Sequence, residues 1–204
     1  MLLLMIKTII FDLGNVVVNV DRTEHYNKLA KDSKTTPKIA QKRFESYTVV
    51  SLRKSFERGE LSPNHFYKKV SKELKLRMGF EDFKKVYCGI FSLNKDIEKL
   101  IKKLKKKFRL VLLSNTDALH FGYVKNNYKV IADFDELVLS YKVRHRKPNP
   151  LIYLNALKKA KALPFECAFF DDIPEFVFAG RLMGLRAFLY KGFGIIHLIF
   201  TKFE

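Results

Sequence analysis

Four polar clusters interrupt the apolar runs of this sequence, each after a run or at the start of a helix. Residues 6–11 lead into Asp12-Leu13-Gly14-Asn15-Val16. A carboxylate at the end of a buried run is costly unless it is hydrogen-bonded or metal-bound, and Gly14 permits an unusual backbone turn. Residues 110–113 end in Ser114-Asn115-Thr116, whose hydroxyl and following amides can hold an anion where the next helix starts. Lys147-Pro148 follows Arg144-His145-Arg146, and the proline fixes the lysine on a turn. Residues 168–170 run into Asp171-Asp172, adjacent carboxylates that repel each other unless a hard cation lies nearby. Singly, such clusters also serve as helix caps and surface turns. In the order Asp, Ser/Thr, Lys, Asp-Asp, they point to one site.

The elements that must position them follow from periodicity. Residues 6–11 form a short, mostly apolar run of the kind buried on both faces of a parallel sheet, and residues 110–113, 137–139, 168–170 and 187–190 repeat the pattern. Helices fall between them, signalled by Asn94, by Asp117, by Asn149-Pro150 ahead of residues 151–163, and by Pro174 ahead of a stretch to residue 183 closed by Gly184. This alternation predicts an α/β fold, a Rossmann-like parallel sheet wrapped by helices, in residues 1–21 and 93–204. Residues 22–92 break it. They read as helices over 23–30, 37–46, 52–58, 63–74 and 80–91 with no intervening strand, a small all-helical cap inserted after the first strand. Such a cap lies over the carboxyl edge of the sheet, where ligands of parallel sheets bind.

The ordered set IIFDLGNVV (9–17), LVLLSNTD (110–117), RKPNPLIY (146–153) and AFFDD (168–172), with Ala179 and Gly184 downstream, resembles the haloacid dehalogenase-like (HAD) hydrolase superfamily over nearly the whole chain. FERGELSPNHF (56–66) is similar to the helical cap of the branch that includes sugar-1-phosphate phosphatases and the phosphatase domain of epoxide hydrolases. The resemblance implies a Mg²⁺-dependent phosphatase acting on small sugar-phosphate-like monoesters. Asp12 would be the nucleophile that forms an aspartyl-phosphate. Mg²⁺ would be held by Asp12, the Gly14 carbonyl and Asp171 or Asp172. Ser114 and Lys147 would bind the phosphoryl oxygens, with Asn15 and Asn115 as further substrate contacts. The physics is consistent: a carboxylate attacks a phosphomonoester dianion only where cations neutralise both.

Two positions depart from the family pattern. The general acid and base usually found two residues after the nucleophile is replaced by Gly14, so the proton must come from elsewhere, with Asn19 or Asp21 as nearby donors. An asparagine often found four residues after the paired aspartates is replaced by Phe176. Two other readings share the motifs. A 2-haloacid dehalogenase also lacks the second aspartate, but Asp171-Asp172 would repel its carboxylate substrate. A catalytically impaired phospho-ligand-binding protein would keep the pocket and turn over slowly.

Composition narrows the rest. With 204 residues, 48% of them hydrophobic, the chain can bury a sizeable core. Cys88 and Cys167 are too few and too far apart for a disulfide framework, which suits a reducing cytoplasm. The net charge of +18 raises nucleic acid as a partner, but the lysines of residues 94–107 fall on the outward side of a helix whose apolar residues are Ile97, Leu100, Ile101 and Leu104. A solvated face is therefore expected rather than a nucleic-acid site, in a monomer or homodimer with no membrane segment. None of the five histidines stands at metal-ligand spacing; His145, amid Arg144, Arg146 and Lys147, is closest to the predicted site. Residues 193–203 read as a last core helix or part of a dimer contact rather than a membrane-surface helix.

Overall fold

The computed structural model describes residues 6–192 and 194. Residues 1–5 and, apart from Gly194, the expected helix over 193–203 lie outside them. Five strands form one parallel sheet: β1 (Thr8–Phe11), β4 (Arg109–Ser114), β5 (Glu136–Leu139), β6 (Cys167–Asp171) and β7 (Arg186–Leu189), in the order β5-β4-β1-β6-β7. Side chains alternate across the pleat. Ile9 and Phe11 join one buried cluster, with Ile97 and Ile101 of α6 (Lys95–Leu104) and Phe121 and Val124 of α7 (Ala118–Asn127). Ile10 joins the other, with Ile152, Tyr153 and Ala156 of α9 (Pro150–Ala160) and Val177 of α10 (Pro174–Leu182). Both faces are covered, which is why these strands read as continuous apolar runs.

The strand order creates the site. β1 pairs with β4 on one side and β6 on the other, Phe11 lying level with Leu112 and with Phe170. The connections leave in opposite directions, opening a crevice at the carboxyl ends. Asp12, Ser114 and Asp171 end or follow these three neighbouring strands.

Five helices follow β2 (Val18–Val20): α1 (Thr23–Asp32), α2 (Pro37–Phe44), α3 (Tyr47–Glu57), α4 (Pro63–Leu74) and α5 (Phe80–Cys88). Thr36, Ser46 and Ser62 cap α2, α3 and α4 by accepting amide hydrogen bonds. Their shared core is aromatic, with Phe56 and Phe66 stacked at 4.4 Å between ring centroids and Phe83 on Tyr87 at 5.3 Å.

Several expected boundaries differ. Helix α3 starts at Tyr47 rather than residue 52, because Ser46 caps it instead of ending α2, and burial of Val49 outweighs the low helix propensity of Thr48, Val49 and Val50. Helix α5 stops at Cys88, where Gly89 caps it, and Phe91–Leu93 forms β3, antiparallel to β2. The expectation of no strand within 22–92 therefore fails: a two-stranded ribbon carries the chain into and out of the helices, and a three-residue strand at the end of an amphipathic run leaves no period of its own. Helix α9 ends at Ala160 rather than residue 163, with Lys161 left-handed at φ 54°. Gly14 does not supply the unusual turn after β1. The residue with positive φ there is Asn15, at 54°, whose Oδ1 accepts the Val20 amide and so holds the turn.

Candidate active site

The centre of the crevice is an ionic triad. Lys147 Nζ donates to Asp12 Oδ1 at 2.6 Å, to Asp171 Oδ2 at 2.5 Å and to the Leu113 carbonyl at 3.2 Å. All three ionic side chains are withdrawn from solvent, Lys147 being 1% and Asp171 0% exposed. Burial pushes the Asp12 carboxyl up to about 7; Lys147 opposes that shift and Asp171 adds to it. For Lys147, burial acts against the charged form, but the two carboxylates outweigh it and its pKa stands above the ordinary lysine value. Lys147 is thus a fixed cation.

The remaining predicted residues brace this centre. Asn115 turns its whole amide to the lysine's own peptide, Nδ2 donating to the Lys147 carbonyl at 3.0 Å and Oδ1 accepting the Lys147 amide at 2.7 Å. These bonds position Lys147, and Asn115 also lines the cavity. Asn15 Nδ2 donates to Asp172 Oδ2 at 3.0 Å, so this side chain too holds a carboxylate. Ser114, 2% exposed, lines the cavity wall beside Asp12. Three of the amides after it are engaged within the protein. Thr116 donates to Ser140 Oγ, and the start of α7 is capped by the Asp117 carboxylate, which accepts from the Leu119 and His120 amides.

Asp12, Asp171 and Asp172 each offer an oxygen, all within 4.8 Å of one another. When all three carboxylates are ionised they face one ammonium and leave an excess of two negative charges that a divalent cation would neutralise, and hard carboxylate oxygens are the donors magnesium takes. The two adjacent aspartates are not equivalent. Asp171 is committed, with Oδ2 on Lys147 and Oδ1 on the Ile173 amide at 2.9 Å. Asp172 lines the cavity and is half-buried, and among the described residues only its Oδ2 is engaged, by Asn15.

The cavity above the triad has a volume of about 290 Å³, the small end of the range for ligand pockets. Its opposite wall comes from the inserted helices and includes His25, Phe44, Arg53, Glu57 and Tyr87. Arg146 of the lysine loop pairs with Glu57, joining that wall to the sheet side. The histidines here are His25 and His120, not His145, which lies outside the lining. His120 stacks on Tyr87 at 4.0 Å and contacts Asp117 Oδ2 at 3.0 Å. His25 is not recognisable from spacing, because α1 is far in sequence from the ends of β4 and β6, whereas His120 stands on α7, directly after the end of β4.

The family model described as haloacid dehalogenase-like hydrolase matches residues 6–184. The chain belongs to this hydrolase family. It is 30% identical over 192 residues to the D-ribitol-5-phosphate phosphatase of Bacteroides thetaiotaomicron, covering 90% of this chain and 91% of that one. Its fold is similar to that of a HAD family enzyme from the same organism solved with magnesium and inorganic phosphate, at TM-score 0.78 and 24% identity over 91% of this chain and 94% of the other. It is also similar to the L-2-haloacid dehalogenase of Xanthobacter autotrophicus, at TM-score 0.65 and 14% identity over 88% and 75%.

Within this HAD-like hydrolase the two departures from the family pattern have visible consequences. A Cβ added at Gly14 would meet only Val20 Cγ2, at 3.7 Å, an ordinary contact, so neither backbone nor space demands glycine. The substitute donors expected nearby are turned away. Asp21 Oδ1 accepts the Thr23 amide at 2.8 Å at the start of α1, which holds its carboxyl below the usual range, and Asn19 faces Ser92 on the ribbon. A carboxylate held ionised is a poor acid. Phe176, in place of the asparagine, lays its ring 5.1 Å from Lys147 Nζ, while its carbonyl accepts from Tyr153 Oη at 2.9 Å. An aromatic face over the ammonium stabilises the cation and keeps water from it. Among the described residues no helix is long and apolar enough to cross a membrane.

Proposed function

We propose that this HAD-like hydrolase is a magnesium-dependent phosphatase of small polyol or sugar phosphates, with Asp12 as the nucleophile and residues 22–92 acting as the cap. One observation carries the reading: a buried lysine bridges Asp12 and Asp171 while Asp172, on the same rim, keeps an oxygen uncommitted. A dehalogenase needs no such excess of carboxylate. The B. thetaiotaomicron relative, a phosphatase by name, supports the same class.

Asp12, the Gly14 carbonyl and Asp172 would hold the metal. When bound, Mg²⁺ supplies the positive charge that lets a carboxylate and a phosphate dianion approach each other. Lys147, fixed by Asn115 and by its own two carboxylates, orients Asp12 and favours its ionised form. Ser114 offers a hydroxyl to a phosphoryl oxygen. Asp12 forms a bond to phosphorus as the ester P–O bond breaks and the alkoxide leaves, taking a proton from solvent or from the substrate. Water then cleaves the aspartyl-phosphate and regenerates Asp12. The cavity volume restricts the substrate to a small ester. Phosphate release from a panel including ribitol 5-phosphate, measured with Mg²⁺ and with excess EDTA, tests the proposal. Turnover is expected only with Mg²⁺ and not in Asp12→Asn; undiminished release in EDTA, or from Asp12→Asn, would overturn it.

A further inference from the structure

The cap wall of the cavity contains two buried polar atoms with no partner among the described residues, Nε2 of His25 and Nε of Arg53. Their other groups are committed. His25 Nδ1 lies 3.1 Å from the Val86 carbonyl. A carbonyl can only accept, so Nδ1 carries the hydrogen, and in the neutral ring Nε2 presents a lone pair. Burial supports the neutral form, pulling the His25 pKa down to about 4, with His120, Arg22 and Arg53 acting in the same direction against the Val86 hydrogen bond. The Arg53 terminal nitrogen is paired with Glu45 at 2.7 Å, and its guanidinium lies 4.6 Å from the centroid of the Phe44 ring. His25 packs edge-on against that same ring at 4.6 Å. One acceptor and one donor therefore flank a single aromatic side chain, and His25, Phe44 and Arg53 all line the cavity. A buried polar group without a partner is expensive, which marks both atoms as groups awaiting one.

We infer that His25 and Arg53 form a hydroxyl-reading pair in the cap, in which substrate hydroxyls donate to His25 Nε2 and accept from Arg53 Nε–H. The inference rests on the phosphatase reading and deepens it by naming what the non-phosphate end must carry. A hydroxyl is the common group that is both donor and acceptor. A second anion would only accept and would meet the His25 lone pair, and an alkyl chain would leave both atoms unpaired. Two cations of this wall support the choice, because Arg53 and Arg146 are already matched by Glu45 and Glu57, while Arg22 of α1's start also lines the cavity. The pair therefore selects a hydroxylated ester.

The experiment compares kcat/KM on ribitol 5-phosphate with that on its monodeoxy analogues, in the wild-type chain, in His25→Phe and in His25→Gln. The wild type is expected to disfavour one deoxy position by about tenfold or more, since a site built to bond a hydroxyl rejects its absence. In His25→Phe that preference should fall towards unity, and His25→Gln, which can place an amide oxygen where Nε2 stood, should restore much of it. Because a ratio of two substrates does not depend on the folded fraction, a partly unfolded variant still reports. No positional preference in the wild type, or one unchanged in His25→Phe, would overturn the pair. Turnover of no ester at all, p-nitrophenyl phosphate included, would instead overturn the phosphatase reading and this inference with it.

Discussion

Lys147 Nζ lies 2.6 Å from Asp12 Oδ1, a contact joining residues 135 positions apart in sequence and buried between two core clusters. Removing one partner of a buried ion pair leaves an uncompensated charge and costs about 3–5 kcal/mol. Lys147→Met should therefore unfold at markedly lower urea in EDTA and lose turnover. A stability change under about 1 kcal/mol in that titration would mean that the triad is not the structural centre proposed here.

The inequivalence of the adjacent aspartates predicts different phenotypes. Asp172→Asn should raise the Mg²⁺ concentration that half-saturates activity or thermal stabilisation, by about 10- to 100-fold on the scale set by metal-site mutations. Asp171→Asn should act mainly by releasing Lys147, lowering kcat with a smaller effect on the metal titration. Ca²⁺, which prefers more ligands, should compete without supporting turnover. The reverse pattern in the two titrations would exchange the assignments.

Because Gly14 carries no acid and Asp21 is turned to α1, the leaving oxygen should receive little help. Rates should therefore fall steeply as the leaving alcohol becomes more basic: p-nitrophenyl phosphate and sugar 1-phosphates ahead of matching 6-phosphates. Gly14→Asp, which the backbone and surrounding space admit, should flatten that dependence and raise rates on alkyl esters, a general acid being worth about 10² to 10⁴. Asp21→Asn should change neither. An unaltered leaving-group slope in Gly14→Asp would refute the account.

His25 makes stability pH-dependent. Its folded pKa of about 4 lies below the ordinary 6.5, so between those values the unfolded chain binds the proton that the folded chain refuses. The stability that His25 contributes is complete above pH 6.5 and is lost as pH falls towards 4, by about 3 kcal/mol if the group acts alone. His120, Arg22 and Arg53 act on His25 in the same direction and reinforce the sign. Urea midpoints from pH 7 to 4 should fall less steeply in His25→Phe than in the wild type. Parallel curves would show that another group governs the window.

Much of this protein is legible in one dimension. Parallel strands buried on both faces must be short apolar runs, so β1, β4, β5, β6 and β7 are read within about two residues from hydrophobicity, and helix starts such as Asn94, Asp117 and Asn149 from capping chemistry. Strand ends in turn fix where Asp12, Ser114 and Asp171 emerge, so the order of the motifs already implies one site. Tertiary structure decided what depends on direction and contact. That Asn115 grips the Lys147 peptide, that Asp171 is spent on the lysine while Asp172 is not, and that Asn15 rather than Gly14 takes the left-handed turn are matters of side-chain aim and of φ, which residue type does not specify. The ribbon strand at Phe91–Leu93 needed its partner at Val18–Val20 to exist at all. His25 and Arg53 reach the cavity because the inserted helices fold back over the strand ends, and that approach is set by packing between distant segments, which leaves no periodicity in the sequence to find.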